Sequence, residues 1–218
     1  MFEIIVDSAA NIPAELCKKY KIKVLSFVNL VNGKEMTCFE PDLTPEQERA
    51  KGKEYYDAIR EGAEVKTGLI SSGIFEDTFR EIIEADKDIL YFSLSKNISG
   101  NYNSARVAAD AVLDDCSNGR KIRLVDSLNA SLGQGLLAIY ASEMREKGMS
   151  FDEVADTIET YPARLNGVFT VGNCKNRQIK RNHRFGWQHA KHQAYPKGQQ
   201  GRIYCTVQKM SRPKSRIK

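Results

Sequence analysis

Short apolar runs alternate with longer amphipathic segments along the first 171 residues, and this alternation constrains the fold more than any other feature of the sequence. The apolar runs are rich in Ile, Val and Phe and cover residues 2–6, 23–31, 88–94, 121–126 and 167–171. Segments with the period of an α-helix lie between them: one begins at Pro13, one begins near Ser99, and others cover about 44–60, 74–85, 131–147 and 151–161. Strands that alternate with helices predict an α/β fold with a largely parallel sheet flanked by helices.

The distribution of charged residues changes near residue 172, close to the end of the alternating pattern. Of the 33 Lys and Arg residues, 13 lie in residues 173–218, a stretch that contains none of the 28 Asp and Glu residues. A polar, basic stretch without regular apolar spacing cannot bury a core of its own. We therefore predict one domain over residues 1–171 and a disordered tail over residues 172–218.

The cysteines and the N-terminus limit where such a chain can work. The five cysteines have no paired spacing, which argues against a disulfide framework and against a zinc site. The N-terminus lacks the basic and apolar regions of a signal peptide, and no run of about 18 apolar residues occurs. A cytoplasmic protein without a membrane span is therefore expected.

Three of the predicted strands end in hydroxyl-rich turns that lead into helices. Their sequences are VDSAANIP (6–13), SLSKNISGNYNSA (93–105) and VDSLNASLGQG (125–135). In open α/β sheets, ligands bind outside the carboxyl ends of the strands, where loops and helix N-termini meet. Free N–H groups and hydroxyls suit an anionic head group, so Ser95 and Ser99 are candidate ligand contacts.

A second hydroxyl cluster, KTGLISSGIF (66–75), places Thr67, Ser71 and Ser72 just before another predicted helix. The alternative for both loops is structural, because Ser72 and Ser99 are also suited to be helix N-caps. Asp7 and Asp126, each in a V-D-S triplet, are expected to accept hydrogen bonds from neighbouring loop backbones.

The predicted domain lacks the motifs of the common enzyme classes. Residues 1–172 contain no His and no glycine-rich phosphate loop, which removes His-based acid–base, triad and metal chemistry from this part of the chain. The sequence thus predicts no metal and no cofactor. A hydrolase that uses one of the loop serines stays an alternative, although no base accompanies those serines.

Five motifs, taken together, resemble the DegV family of bacterial fatty-acid-binding proteins. They are DSAANIP, VNGKE, KTGLISSGIF, SLSKNISGNYNSA and VDSLNASLGQGLL, in the order and spacing of the family, over about residues 1–171. The resemblance implies a two-domain α/β fold that holds a long acyl chain in an apolar tunnel. Matched position by position, the hydroxyls that would hold the carboxylate belong to Thr67, Ser71, Ser95 and Ser99.

The resemblance also implies a binding protein rather than an enzyme, one that presents its fatty acid to a separate fatty acid kinase. One departure concerns the first hydroxyl loop, where Gly68, Leu69 and Ile70 stand in place of the S-Q-P that the family often has.

The tail is explained by a shifted reading frame. Back-translated and read from the second base of each codon, residues 187–198 can spell G-N-M-L-N-I-K-P-I-L-K-G, which is similar to the family's own continuation. We infer a frameshift somewhere after Val171, so that the second domain of the family is missing or corrupted.

Two alternatives for the tail stay open. Its 13 basic residues without an acid would suit an arm that binds nucleic acid. A metal site from His183, His189, His192 and Cys205 would lack any standard ligand spacing.

Overall fold

The computed structural model describes residues 2–116 and 118–165, together with the backbone of residues 167–168 and 206–207. In chain order the strands are β1 (Phe2–Asp7), β2 (Ile22–Leu25), β3 (Val28–Val31), β4 (Lys34–Thr37), β5 (Val65–Gly68), β6 (Asp88–Ser93), β7 (Ile122–Asp126), β8 (Gly167–Val168) and β9 (Thr206–Val207). The helices are α1 (Ala14–Lys19), α2 (Pro45–Arg60), α3 (Ser72–Glu84), α4 (Asn101–Cys116), α5 (Leu132–Glu146) and α6 (Phe151–Glu159).

Four parallel strands form the central sheet in the order β2-β1-β6-β7. This confirms the predicted α/β fold. Because all four strands run in the same direction, the turns that follow β1, β6 and β7 leave from one edge of the sheet.

Helices cover both faces of the central sheet, and the side chains of each strand alternate between the two cores. On one face, Ile4, Val6 and Phe92 pack with buried residues of α5 and α6 such as Leu137 and Ile158. On the other face, strand residues pack against α3 and α4; this core includes Ile5, Ile89, Tyr91, Phe75, Phe79, Ile83, Ala105, Ala108 and Val112. Burial on both faces explains why the two central strands, β1 and β6, are apolar along most of their length.

The predicted strand over 23–31 is wrong as a single element. The chain turns at Ser26 and Phe27, so that β2 stays in the central sheet while β3 joins a second, antiparallel sheet of order β4-β3-β5. Hydrogen bonds fix this turn, because the N–H of Phe27 donates to Ser8 Oγ (3.0 Å) and the N–H of Cys38 donates to Ser26 Oγ (3.2 Å).

The second sheet was missed from the sequence, although one local signal for it exists. β3 and β4 are joined by Asn32 and Gly33, which have φ of 50° and 78°. Two consecutive positive φ angles at Asn-Gly are typical of a tight two-residue hairpin.

The helices lie close to their predicted positions, and two of them begin after capping boxes. α2 begins after a capping box in which Thr44 and Gln47 exchange hydrogen bonds, and α6 begins after a capping box of Ser150 and Glu153. Within the described residues, no helix combines the length and the apolar character needed to cross a bilayer.

Near the C-terminal end, Gly167–Val168 pairs antiparallel with Thr206–Val207. The remainder of the strand predicted over 167–171 lies outside the described residues, and so do the predicted boundary at 171 and nearly all of the tail. The alternatives based on that tail, a nucleic-acid arm and a metal site, also fall there.

Candidate functional site

Loops from both sheets meet at the carboxyl edge of the central sheet. We call residues 67–72, which lead from β5 into α3, the first hydroxyl loop, and residues 94–100, which lead from β6 into α4, the second hydroxyl loop. The N–H of Ile70 donates to the side-chain oxygen of Asn101 over 3.1 Å. A Cβ atom placed on Gly100 would lie 3.1 Å from Cδ1 of Leu69, so the absence of a side chain there lets the loops approach closely. The two hydroxyl loops therefore form one continuous surface.

Ser71 and Ser99 lie at the N-termini of two helices. Ser71 is the N-cap of α3, and its Oγ accepts from the N–H of Ile74 over 3.3 Å. The expectation that Ser72 would be this cap is wrong by one residue. Ser99 Oγ accepts from the N–H of Asn101, the first residue of α4, over 3.2 Å. In both cases the hydroxyl acts as the acceptor, which leaves its own proton free to donate to an anion.

The other two predicted contacts differ from each other in exposure. Thr67 is an exposed residue of β5 that pairs with Asn29 of β3. Ser95 is fully buried; its Oγ accepts from the N–H of Asn97 over 3.4 Å, and its own N–H donates to the carbonyl of Asn129 over 3.0 Å. Ser95 thus holds the second hydroxyl loop against the β7–α5 turn, and a ligand contact for any of the four hydroxyls stays a prediction.

A buried carboxylate lies beneath these loops. Asp7 is 0% exposed at the end of β1. Its two oxygens accept from five donors: the N–H of Ala9 (3.2 Å), Gln134 Nε2 (3.0 Å), the Tyr91 hydroxyl (3.0 Å), the N–H of Leu94 (2.9 Å) and Asn101 Nδ2 (3.4 Å). Burial raises the pKa of the Asp7 carboxyl, and the hydrogen bonds that it accepts act in the opposite direction.

The Asp of the other V-D-S triplet, Asp126, lies at the end of β7, which β6 separates from β1, and it also accepts hydrogen bonds from a loop backbone. Asp126 Oδ1 accepts from the N–H groups of Lys96 (3.2 Å) and Leu128 (3.0 Å). The prediction that Asp7 and Asp126 accept bonds from loop backbones is therefore confirmed.

Three polar residues of this network were missed by the sequence analysis, namely Tyr91, Asn101 and Gln134. A signal for two of them was present. Asn101 lies on the buried stripe of α4 with Ala105 and Ala108, and Gln134 lies on the buried stripe of α5. An amide at the start of an otherwise apolar stripe indicates a buried hydrogen-bonding role.

Large apolar side chains are exposed around the hydroxyls. We call them the apolar rim: Leu69, Ile74, Ile98, Leu128 and Leu132, each between 41% and 51% exposed. They come from the two hydroxyl loops, the first turn of α3, the β7–α5 turn and the start of α5. Exposed apolar side chains grouped at the mouths of loops mark a binding surface more often than scattered ones do.

An enclosed apolar tunnel at this edge stays a prediction. Two depressions in the described part of the chain have volumes of about 520 and 240 Å³. The larger lies between α1 and α2, against Leu16 and Glu48, and the smaller lies against Lys23 and Glu81. None of the four hydroxyl residues lines either one. Among the described residues, no three His, Cys, Asp or Glu side chains come together as a metal site would require.

Comparison with known proteins gives a consistent answer. A family model described as "Uncharacterised protein, DegV family" matches residues 1–184. A DegV domain-containing protein of Clostridium perfringens is 34% identical over 171 residues, which cover 78% of this chain and 56% of that protein. The chain therefore spans little more than half the length of this curated relative.

Solved structures with the same fold have known ligands. A stearic acid-binding protein from Eubacterium ventriosum is 26% identical, with a TM-score of 0.68 over 85% of this chain and 61% of that one. A DegV family protein from Thermus thermophilus, described by its fatty acid binding, is 26% identical, with a TM-score of 0.66 over 84% of this chain and 60% of that one.

Proposed function

Since the chain belongs to the DegV family, we propose that it binds a long-chain fatty acid at the carboxyl edge of the central sheet. The carboxylate is held by hydroxyls of Thr67, Ser71, Ser95 and Ser99, and the acyl chain lies along the apolar rim. The observation that supports this proposal is that two serine hydroxyls with free protons lie on adjoining loops that also carry exposed apolar side chains.

Local electrostatics favour a negatively charged head group. The first turns of α3 and α4, residues 72–75 and 101–104, contain no Asp or Glu. The partial positive charge of each helix N-terminus is therefore not neutralised by an acidic side chain of its own first turn. Two such termini next to each other suit a carboxylate.

Affinity and orientation come from different parts of the ligand. Each buried methylene contributes about 0.8 kcal/mol, so roughly 14 of them give about 11 kcal/mol before the costs of association. The hydroxyls contribute less and select the acid end. The apolar rim covers only one side of an acyl chain, and in the longer relatives the additional length would supply the second side of a tunnel.

Binding without turnover fits the residues of the site. Ser71 and Ser99 use their Oγ atoms as acceptors for N–H groups and have no His or other base beside them in the described part of the chain. A serine without a base is a weak nucleophile. We propose that the bound acid is passed unchanged to a fatty acid kinase in the cytoplasm.

The test starts with the ligand itself. Mass spectrometry of the denatured protein should find a fatty acid, and titration should give tighter binding of stearic acid than of stearyl alcohol. Thr67→Ala combined with Ser99→Ala should weaken stearic acid binding by about 1 to 3 kcal/mol, because the carboxylate loses two donors. Thr160→Ala, an exposed threonine on the far end of α6, is the matched control and should leave the affinity unchanged. Equal affinity for acid and alcohol in the unchanged protein, or turnover of an acyl ester, would contradict the proposal.

We also propose that residues 172–218 are a shifted reading of the coding sequence for the family's second domain. The gene sequence across codons 165–190 tests this directly. If no shifted frame of the gene encodes a continuation such as G-N-M-L-N-I-K-P-I-L-K-G, the proposal is excluded and attention returns to the nucleic-acid alternative.

A further inference from the structure

One side chain connects the two hydroxyl loops to the buried carboxylate. Asn101 is fully buried at the first residue of α4. Its backbone N–H donates to Ser99 Oγ over 3.2 Å, its side-chain oxygen accepts from the N–H of Ile70 over 3.1 Å, and its Nδ2 lies 3.4 Å from both Asp7 Oδ2 and the Tyr91 hydroxyl. A single residue thus fixes one serine hydroxyl and the backbone next to the other, Ser71.

Asp7 gives this connection a rigid base. Besides Asn101, it receives hydrogen bonds from Leu94 at the start of the second hydroxyl loop and from Gln134 in α5. Gln134 Nε2 also donates to the carbonyl of Phe92 over 3.0 Å, and Phe92 is the penultimate residue of β6, the strand that leads into the second hydroxyl loop. Because these groups are buried, water does not readily replace a hydrogen bond that is lost, which favours one arrangement of the network.

From this geometry we infer that Asn101, anchored by Asp7, is a positioning residue that sets the spacing between the hydroxyls of the two loops. The inference rests on the proposed function, because the spacing matters for a carboxylate that both loops contact at once. The apolar contacts of the acyl chain do not depend on this spacing. Loss of Asn101 therefore reduces the preference for an acid head group and leaves the contribution of the alkyl chain unchanged.

The variant Asn101→Leu removes all three side-chain hydrogen bonds of Asn101 and keeps a side chain of similar branching. In the full chain, its affinity for stearic acid should fall about tenfold or more, as expected for the loss of buried hydrogen bonds. Its affinity for stearyl alcohol, which makes the same apolar contacts, should change much less.

Ser142→Ala is the control. Ser142 is fully buried and donates to the carbonyl of Tyr20 (2.6 Å), a residue that precedes β2 at the opposite edge of the sheet. The control should lose stability but keep the preference for the acid.

Amide hydrogen exchange without ligand separates this inference from the proposed function. In Asn101→Leu, amides of both hydroxyl loops should exchange about tenfold faster or more, while those of Ile4 and Leu90 in the central sheet should not. If Asn101→Leu does not fold, Asn101→Asp keeps the acceptor for Ile70 and loses the donor to Asp7, so the second hydroxyl loop alone should loosen.

The inference is overturned if the preference for the acid survives in Asn101→Leu, or if the control loses it equally. Uniform acceleration of exchange throughout the protein would also overturn it, because that result indicates a general loss of stability. If the unchanged protein binds acid and alcohol equally well, the proposed function fails, whereas the exchange experiment still decides whether Asn101 positions the loops.

Discussion

The central sheet with its helices differs sharply from the segment inserted into it. β1 and β6 are buried almost along their whole length, and helices cover both of their faces. Residues 26–69, all of which the structure describes, include no fully buried side chain. We call them the outer segment; it comprises β3, β4, β5 and α2.

The outer segment has no core of its own; the partly buried Phe27 and Phe39 pack against the two cores of the central sheet, and individual hydrogen bonds add to this attachment. Glu48 of α2 accepts from the N–H of Ala14 over 2.8 Å, and the N–H of Phe27 donates to Ser8 Oγ over 3.0 Å. The outer segment nevertheless carries Thr67 and Leu69 into the candidate site. The comparison teaches that stability resides in the central sheet, whereas part of the candidate site resides in a region that contributes little to stability.

The largest expected effect is on the free energy of unfolding, when a leucine is replaced by alanine in each of the two regions. Leu90 lies in the middle of β6 and is 0% exposed, whereas Leu30 lies in the middle of β3 and is only partly buried. Leu90→Ala should lower the free energy of unfolding by about 2 to 5 kcal/mol because it leaves a cavity. Leu30→Ala should cost less than about 1 kcal/mol. Denaturant unfolding measures both, and equal costs would mean that the outer segment has a core of its own.

A smaller and opposite pair of effects is expected at two helical glycines. A Cβ on Gly135 of α5 would lie 2.8 Å from Ile12 Cγ1 and 3.0 Å from the backbone oxygen of Ala10, so Gly135→Ala should destabilise by about 1 to 3 kcal/mol. Gly52 of α2 has open space at the same position, and Gly52→Ala should stabilise by about 0.5 to 1 kcal/mol through helix propensity. Thermal unfolding of the two variants should shift the midpoint in opposite directions; a loss in both would indicate that α2 packs more closely than described.

The smallest effects concern pH and have opposite signs in the two regions. Burial raises the pKa of Asp7, so its contribution to stability is complete below the unfolded pKa and is lost as pH rises through the folded pKa. Hydrogen bonds from Lys53 and Arg60 lower the pKa of the partly exposed Asp57 in α2, so its contribution is lost as pH falls through the folded pKa. Unfolding curves of the protein, Asp7→Asn and Asp57→Asn between pH 3 and 7 measure both trends. The free energy of unfolding of the unchanged protein minus that of Asp7→Asn should decrease as pH rises. A difference that increases with pH would contradict this expectation, because it would mean that folding stabilises the carboxylate form of Asp7.

The sequence predicted the part of the fold that the apolar core determines. The apolar runs around Ile4 and around Leu90 predicted strands of the central sheet, and the turns after β1, β6 and β7 indicated the edge at which the candidate site lies. The antiparallel sheet was missed because strands without a buried face, such as β4 and β5, carry no apolar period. The stripe positions of Asn101 and Gln134 could have indicated that they are buried, but not that they bind Asp7, which is 94 and 127 positions away in the chain. No local pattern reports a contact over such a separation.

The absence of a buried core in the outer segment has a consequence for how such proteins diversify. Substitutions, or changes in the length of the connection before α2, alter the surface near the candidate site without disturbing the packing on which folding depends. Variation at that surface can therefore accumulate between residues 26 and 69 at little cost in stability. A library randomised at exposed positions of this segment should retain a larger folded fraction than one randomised in α3 or α5, which makes it the part of the chain to redesign if the proposed binding of a fatty acid holds.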